Sequence, residues 1–205
     1  MRNGRHEAIL EGLLADPDIA RMAGFANSCF KLWSPHVYDD VGEKLRALYE
    51  HDLSLKKNWR SNVYPCAAFN FGPCIICKCH RDSGNTPHTW CAIQALGNFD
   101  PKKRDICSTI LILSALFTHG NTPVAEGETR LSFMQFVPGG LLQFVDNRFM
   151  TETQLRKKSK KLWGGGMAEK PGRWRKNLEM ICTLDELTAK YVSPSSATKG
   201  VAKRK

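Results

Sequence analysis

Between residues 61 and 136 the chain is written in short apolar runs, each stopped by turn residues. The runs are SNVYPCAAFNFGPCIICKCHRD, TWCAIQALG, STILILSALFTH and TRLSFMQFV. Gly72-Pro73 divides the first run, and Asn98, Asp100-Pro101, Gly120-Asn121 and Gly127 separate the others. Glycine reaches backbone angles that other residues avoid, and proline donates no N–H, so both stop strands. Short strands at this spacing must bury one face against another layer, which predicts a sandwich or jelly roll.

The flanks read differently. Residues 6 to 58 carry helical periodicity in three runs. Ala8, Ile9, Leu13 and Leu14 form the first, ended by Asp16-Pro17-Asp18. The second covers about Ile19 to Leu32 and stops before Ser34-Pro35, and the third starts near Tyr38 and continues through Val41, Leu45, Leu48 and Tyr49. These helices carry no special chemistry and are expected to pack. After Gly139-Gly140 the chain looks helical again from Thr151, with Gly164-Gly165-Gly166 as a flexible break and one or two further helices over Arg173 to Tyr191. The final SPSSATKGVAKRK has no periodicity and is expected to be disordered. The chain therefore divides into an N-terminal helical part at 1–60, a β core at 61–149 and a basic, helical and partly disordered tail at 150–205.

Charge follows the same division. The chain carries a formal net charge of +10. From Met150 onward there are 14 Lys/Arg against 5 Asp/Glu, a net of +9, so residues 1–149 are nearly neutral. A concentrated basic segment can hold an anionic polymer, DNA or RNA, in a salt-dependent way. The plain alternative is a solvated tail that keeps the protein soluble. No apolar run approaches the roughly 18 residues of a membrane span, and the acid-bearing N-terminus lacks a signal-like apolar stretch. An intracellular protein is expected, with nuclear targeting suggested by RKKSKK and by Lys203-Arg204-Lys205. In a reducing compartment the eight cysteines would be free thiols, with Cys91 and Cys107 in the core.

His80-Arg81-Asp82 is the first feature with chemical content. In extended backbone, residues i and i+2 point to the same side, so an imidazole and a carboxylate at this spacing can share one ion. A second imidazole is needed to complete the set of two histidines and one carboxylate used by non-haem Fe(II) oxygenases. His119 ends an apolar, strand-like run and is well placed. His88 lies in a proline-containing loop where a surface histidine is the default, and His36 lies in the helical region. Arg130 follows His119 after ten residues, with Ser132 two further on. 2-Oxoglutarate binds iron through its keto-acid end and leaves a second carboxylate free. Arginine can hold that carboxylate through two parallel hydrogen bonds, and Ser132 on the same strand face can share it.

The segments carrying these residues also resemble a known family. SNVYPCAAFNFGP, HRDSGNTPHTWCAIQALGNFDPKK and STILILSALFTHGNTPVAEGETRLSFMQFVPGGLLQFVDNRF look like the TET/JBP-like 2-oxoglutarate oxygenase domains abundant in mushroom-forming fungi. The resemblance is close over residues 61–149 and looser in the flanking helices. It implies an α+β fold, a double-stranded β-helix (jelly roll) with N- and C-terminal helices. It assigns iron to His80, Asp82 and His119, and the 2-oxoglutarate carboxylate to Arg130. It also implies O2 as cosubstrate, no catalytic residue beyond the metal triad, and a substrate that in some relatives is a modified base in nucleic acid.

One departure bears on activity. The family pattern continues after the NFDPKK-like turn with Gly-Gly-His-Leu, Trp-Asp-Leu and Phe-Pro-Pro-Gly elements. This chain passes from Lys103 through Arg104-Asp105-Ile106-Cys107 directly to Ser108-Thr109-Ile110. Only 36 residues separate Asp82 from His119, where four strands of about five residues plus turns would need about 40 or more. The fold is therefore expected to lack one or two strands, and a catalytically inactive relative is the first alternative to an enzyme. Two others compete: a basic nucleic-acid-binding protein, and a zinc module built on Cys74, Cys77, Cys79 and His80. Trp174, between basic residues, either stacks on a base or packs its helix. Trp90 is expected to pack, and Asn85 and Asn121 to shape loops beside the pocket.

Overall fold

The structure, a computed structural model, describes residues 6–100 and 109–192. It is an α+β fold. Among the described residues there are seven helices and one four-stranded antiparallel sheet.

The three expected N-terminal helices are present. They are α1 (Glu7–Ala15), α2 (Pro17–Trp33) and α3 (Pro35–His51). Asp16 separates the first two, its carboxylate accepting from the N–H groups of Asp18 and Ile19 at 2.9 and 3.0 Å. Pro17 and Pro35 occupy first-turn positions where the missing N–H costs nothing. In α3 the buried set Val37, Val41, Leu45 and Leu48 recurs at helical spacing and marks the face that enters the core.

The sheet comprises β1 (Cys66–Asn70), β2 (Cys91–Leu96), β3 (Thr109–Ile112) and β4 (Leu131–Phe136), in the order β1-β4-β2-β3. The last strand thus returns between the first and second. Side chains alternate across a strand, so the register sorts the sheet into two faces. Ala67, Phe69, Ala92, Gln94, Phe133 and Gln135 share one face. That face meets the helices: Gln94 donates to the Met22 carbonyl of α2 at 3.0 Å, and Trp59 stands edge-on to Phe133 while donating to the Leu14 carbonyl. Phe30 lies at the centre of this layer against Tyr38 and Tyr64. Buried Asn27 is fully used, donating to Tyr38 Oη and the Ser61 carbonyl and accepting from Val63 N–H. The opposite face, with Ser132, Met134, Cys91, Ile93, Ile110 and Ile112, turns toward the site.

Four further helices follow: α4 (Gly139–Asp146), α5 (Glu152–Lys158), α6 (Lys160–Glu179) and α7 (Leu184–Val192). Helix α4 buries Leu142 and packs on α3. Thr151 and Gln154 form a reciprocal capping box at the start of α5. The expected break at Gly164–Gly166 is absent, for these glycines lie inside α6. Ser159 caps that helix, and Arg173 donates to the Gly166 carbonyl across the turn where Pro171 contributes no N–H. The seven described cysteines are free thiols, with Cys91 buried as expected; Cys107 lies outside the described residues, as does the C-terminal run from residue 193 expected to be disordered. No described helix is long and apolar enough to cross a membrane.

His88 overturns its expectation as a surface residue. It is only 3% exposed, and neither ring nitrogen has a hydrogen-bond partner. Burial lowers its pKa, with Asp40 and Asp146 opposing that shift and Lys44 adding to it. A histidine whose folded pKa is depressed binds fewer protons folded than unfolded, so stability falls as pH drops below its ordinary value of 6.5. The melting temperature of the native protein is therefore expected to fall between about pH 7 and pH 5 more steeply than that of His88→Gln. Equal slopes in a thermal series would refute the assignment.

Candidate metal centre

The first candidate ligands come from two segments that pair at a single register point. His80 and His119 form an antiparallel bridge in which each N–H donates to the other's carbonyl at 2.9 Å. Directly opposed residues project to the same face of a ribbon, and the two imidazoles stand with centroids 4.5 Å apart. Asp82 is two residues along and falls on the same side. Its Oδ1 is 3.3 Å from His80 Nε2 and its Oδ2 is 3.7 Å from His119 Nε2. One ligand atom from each of the three lies within 4.8 Å of the others, the one such group of His, Cys, Asp and Glu among the described residues.

His119 does not end β3, as the sequence suggested. That strand stops at Ile112, and a turn through Ser114 to Phe117 carries the chain on to the ribbon. The register with His80, rather than the length of β3, places the second imidazole.

The tautomers suit a metal. His80 Nδ1 is 2.8 Å from the Lys78 carbonyl, and His119 Nδ1 is 3.0 Å from the Phe117 carbonyl. A carbonyl only accepts, so each Nδ1 donates, and this leaves each Nε2, on the side of Asp82, as the nitrogen that can serve as a ligand. This is the outer hydrogen bond that metal-binding histidines ordinarily make. Cys91 lies behind the carboxylate but is no competing ligand. Burial, reinforced by the charge of Asp82, pushes its thiol up to about 12 against the opposing bond with Ser114, so it stays protonated at neutral pH.

The ribbon is stitched by Asn121. Its side chain accepts from Cys77 N–H and donates to the Ile75 carbonyl, while its own N–H donates to the Cys77 carbonyl. The same segment fixes Arg130, which donates its N–H to the Pro73 carbonyl at 2.8 Å and accepts from Ile75 N–H. Arg130 and His119 thereby line one cleft of about 590 Å³. Phe99, Pro123 and Val124 supply its apolar wall, and Thr118, Asn121 and Thr122 its polar one. Sequence reasoning missed Phe99 and Val124, which sit in turns without a recognisable pattern.

The remaining candidates fall outside the cleft. Ser132 is buried within β4, and its hydroxyl accepts from Asn70 at 2.8 Å. Cys74, Cys77 and Cys79 do not converge with His80 into a ligand group. His36 lies on α3. Trp90 packs on the core as expected. Trp174 is 57% exposed. No protein-family model matches the chain, and no curated protein matches it.

Gly120 allows the close approach of the two segments. A Cβ there would lie 2.9 Å from the Cys77 carbonyl oxygen and 3.0 Å from Cys79 N. Gly120→Ala is expected to push the ribbon apart, at about 1–3 kcal/mol of overpacking, and to weaken Co(II) binding as His119 moves. Denaturant unfolding combined with Co(II) titration would measure both, and unchanged metal affinity would count against this geometry.

Proposed function

We propose that this chain is an Fe(II)- and 2-oxoglutarate-dependent dioxygenase of the TET/JBP-like kind. The observation that carries this reading is the convergence of His80, Asp82 and His119, of which His119 lines the same cleft as Arg130. Two neutral imidazoles and one carboxylate are the donor set of non-haem Fe(II) oxygenases and leave three positions for outside ligands. Fe(II) with 2-oxoglutarate, when bound, supplies the O2 activation that oxidises a C–H bond of the substrate. This chain's own residues do the holding and orienting. The carbonyls of Lys78 and Phe117 fix the tautomers of the two histidines. Arg130 is the cleft residue whose planar guanidinium would suit the far carboxylate of 2-oxoglutarate, and Phe99, Pro123 and Val124 give the cleft one apolar wall.

The fold reading is a double-stranded β-helix short of strands. In its favour are the sheet order β1-β4-β2-β3 and the placing of His80, Asp82 and His119 on paired segments facing the sheet. The four-stranded sheet would be the larger of the two, and the isolated bridges at Cys74–Arg130, His80–His119 and Asn85–Pro138 would stand for the smaller.

The proposed substrate is a base in DNA or RNA, held in part by the basic helices. Residues 152–179 carry nine Lys/Arg against three Glu. On α6, Lys160, Lys161, Arg175 and Lys176 are all exposed, as is Trp174. Helix α6 buries no residue of its own but packs on α5, which buries Leu155, so the basic surface is better tested by substitution than by truncation. A protein that keeps these residues without turnover is the second reading. It draws on the 44% exposure of the His80 side chain and on a second sheet reduced to single bridges.

Anaerobic titration with Fe(II) and 2-oxoglutarate is expected to give the weak visible charge-transfer band of the chelate. Asp82→Ala should abolish it. Arg130→Met should keep metal binding but raise the 2-oxoglutarate concentration required by about 10- to 100-fold. A native protein without the band sinks the proposal, whereas a band without succinate formation in air favours the inactive reading.

For the partner, log affinity for a single-stranded oligonucleotide should fall with log salt. Changing Lys160, Lys161, Arg175 and Lys176 to Gln should reduce that slope by about 0.7 for each phosphate no longer neutralised. An unaltered slope would remove α6 from the interface.

A further inference from the structure

Asp82 is held by more than the ribbon. Its backbone N–H donates to the Ser114 carbonyl at 2.9 Å, and its carbonyl accepts from Asn85 N–H at 2.9 Å. The Asn85 amide then reaches back to the same two residues. Its Nδ2 donates to Asp82 Oδ2 at 3.3 Å and to Ser114 Oγ at 3.1 Å. A carboxylate only accepts, so the amide orientation is fixed by this contact. Ser114 is buried, which keeps the second anchor from swinging into solvent.

Asn85 is itself tied to the core. It bridges to Pro138, Thr86 N–H donates to the Val137 carbonyl at 2.9 Å, and Gly139 N–H donates to the Gly84 carbonyl at 2.9 Å. Val137 is fully buried at the end of β4, where α4 begins. The loop that carries Asn85 therefore hangs from the junction between the sheet and the helical layer.

Resting on the metal-site reading above, we infer that Asn85 is the positioning residue that makes Asp82 a one-oxygen ligand. By holding Oδ2, Asn85 leaves Oδ1, the oxygen nearer His80, for the ion. One-oxygen coordination matters chemically. A carboxylate that chelates through both oxygens would take a further coordination position, one that 2-oxoglutarate or O2 would otherwise use. Asn85 is not among the candidate ligands. It acts through Asp82, as outer-sphere partners of metal ligands do.

The test uses the full chain and Co(II) as the probe, under anaerobic conditions, read by equilibrium dialysis and by the visible absorption of bound Co(II). Asn85→Ala is expected to weaken Co(II) binding about 10- to 100-fold. At saturating Co(II) its absorption should differ from that of the native protein, because the freed carboxylate chelates. Asn85→Leu fills the vacated volume without a donor and should reproduce both changes, which separates the hydrogen bond from packing if the alanine protein folds poorly. Native affinity and native absorption in both variants would overturn the inference while leaving the metal site intact. A native protein that binds no Co(II), or an Asp82→Ala protein that binds it equally well, would overturn the metal-site reading and this inference together.

Discussion

The site depends on two backbone hydrogen bonds, exchanged between His80 and His119. They set which residues face one another, and alternation does the rest, placing both imidazoles and the Asp82 carboxylate on one side. Their net contribution to stability is small, about 1 kcal/mol each. Their importance is geometric, since a slip of one residue would put His119 on the opposite side from His80 and Asp82. Asn121 and Gly120 serve that register, one by bonding to both Ile75 and Cys77, the other by presenting no Cβ to the Cys77 carbonyl.

The sheet works as a partition. One face is spent on the helices, through Phe133, Gln94 and Ala92 against α2, α3 and Trp59. The other face lies under the triad, with Cys91 and Ser114 between the strands and Asp82. Rigidity in the helical layer thus reaches the ligands through the end of β4 and the loop at residues 84–86. The cleft forms where this partition ends, at the turns that hold Phe99 and the segment from Thr118 to Val124.

The helices and strand segments were legible because their periodicities differ and their caps are local: Asp16, Pro17 and Pro35 act within a few residues of where they stand. The triad was legible because residue type and spacing are themselves the chemistry. What escaped was set by residues distant in sequence. His88 looks like a loop histidine, yet the packing around α3 and α4 buries it. Gly164–Gly166 has the composition of a break, yet Ser159, Arg173 and packing on α5 keep it helical. The run from Ser108 to His119 reads as one strand, but Ile112 pairs with Cys91, the first residue of β2, so β3 has no partner in β2 beyond it. The role of Asn85 was invisible because it requires Ser114 to arrive from 29 residues away.

The pairing of His80 with His119 is an isolated bridge and not part of a longer ladder. Parting the two segments also breaks the bonds of Asn121 to Cys77 and Ile75 and that of Asp82 N–H to the Ser114 carbonyl, so they open as one local unit. An ion shared across the bridge would have to be released, at least in part, whenever the two segments separate. Ion binding and bridge closure are then linked, and each factor of ten in metal concentration above saturation makes the open form ten times rarer. The ion would serve as a clasp for the segments that bind it.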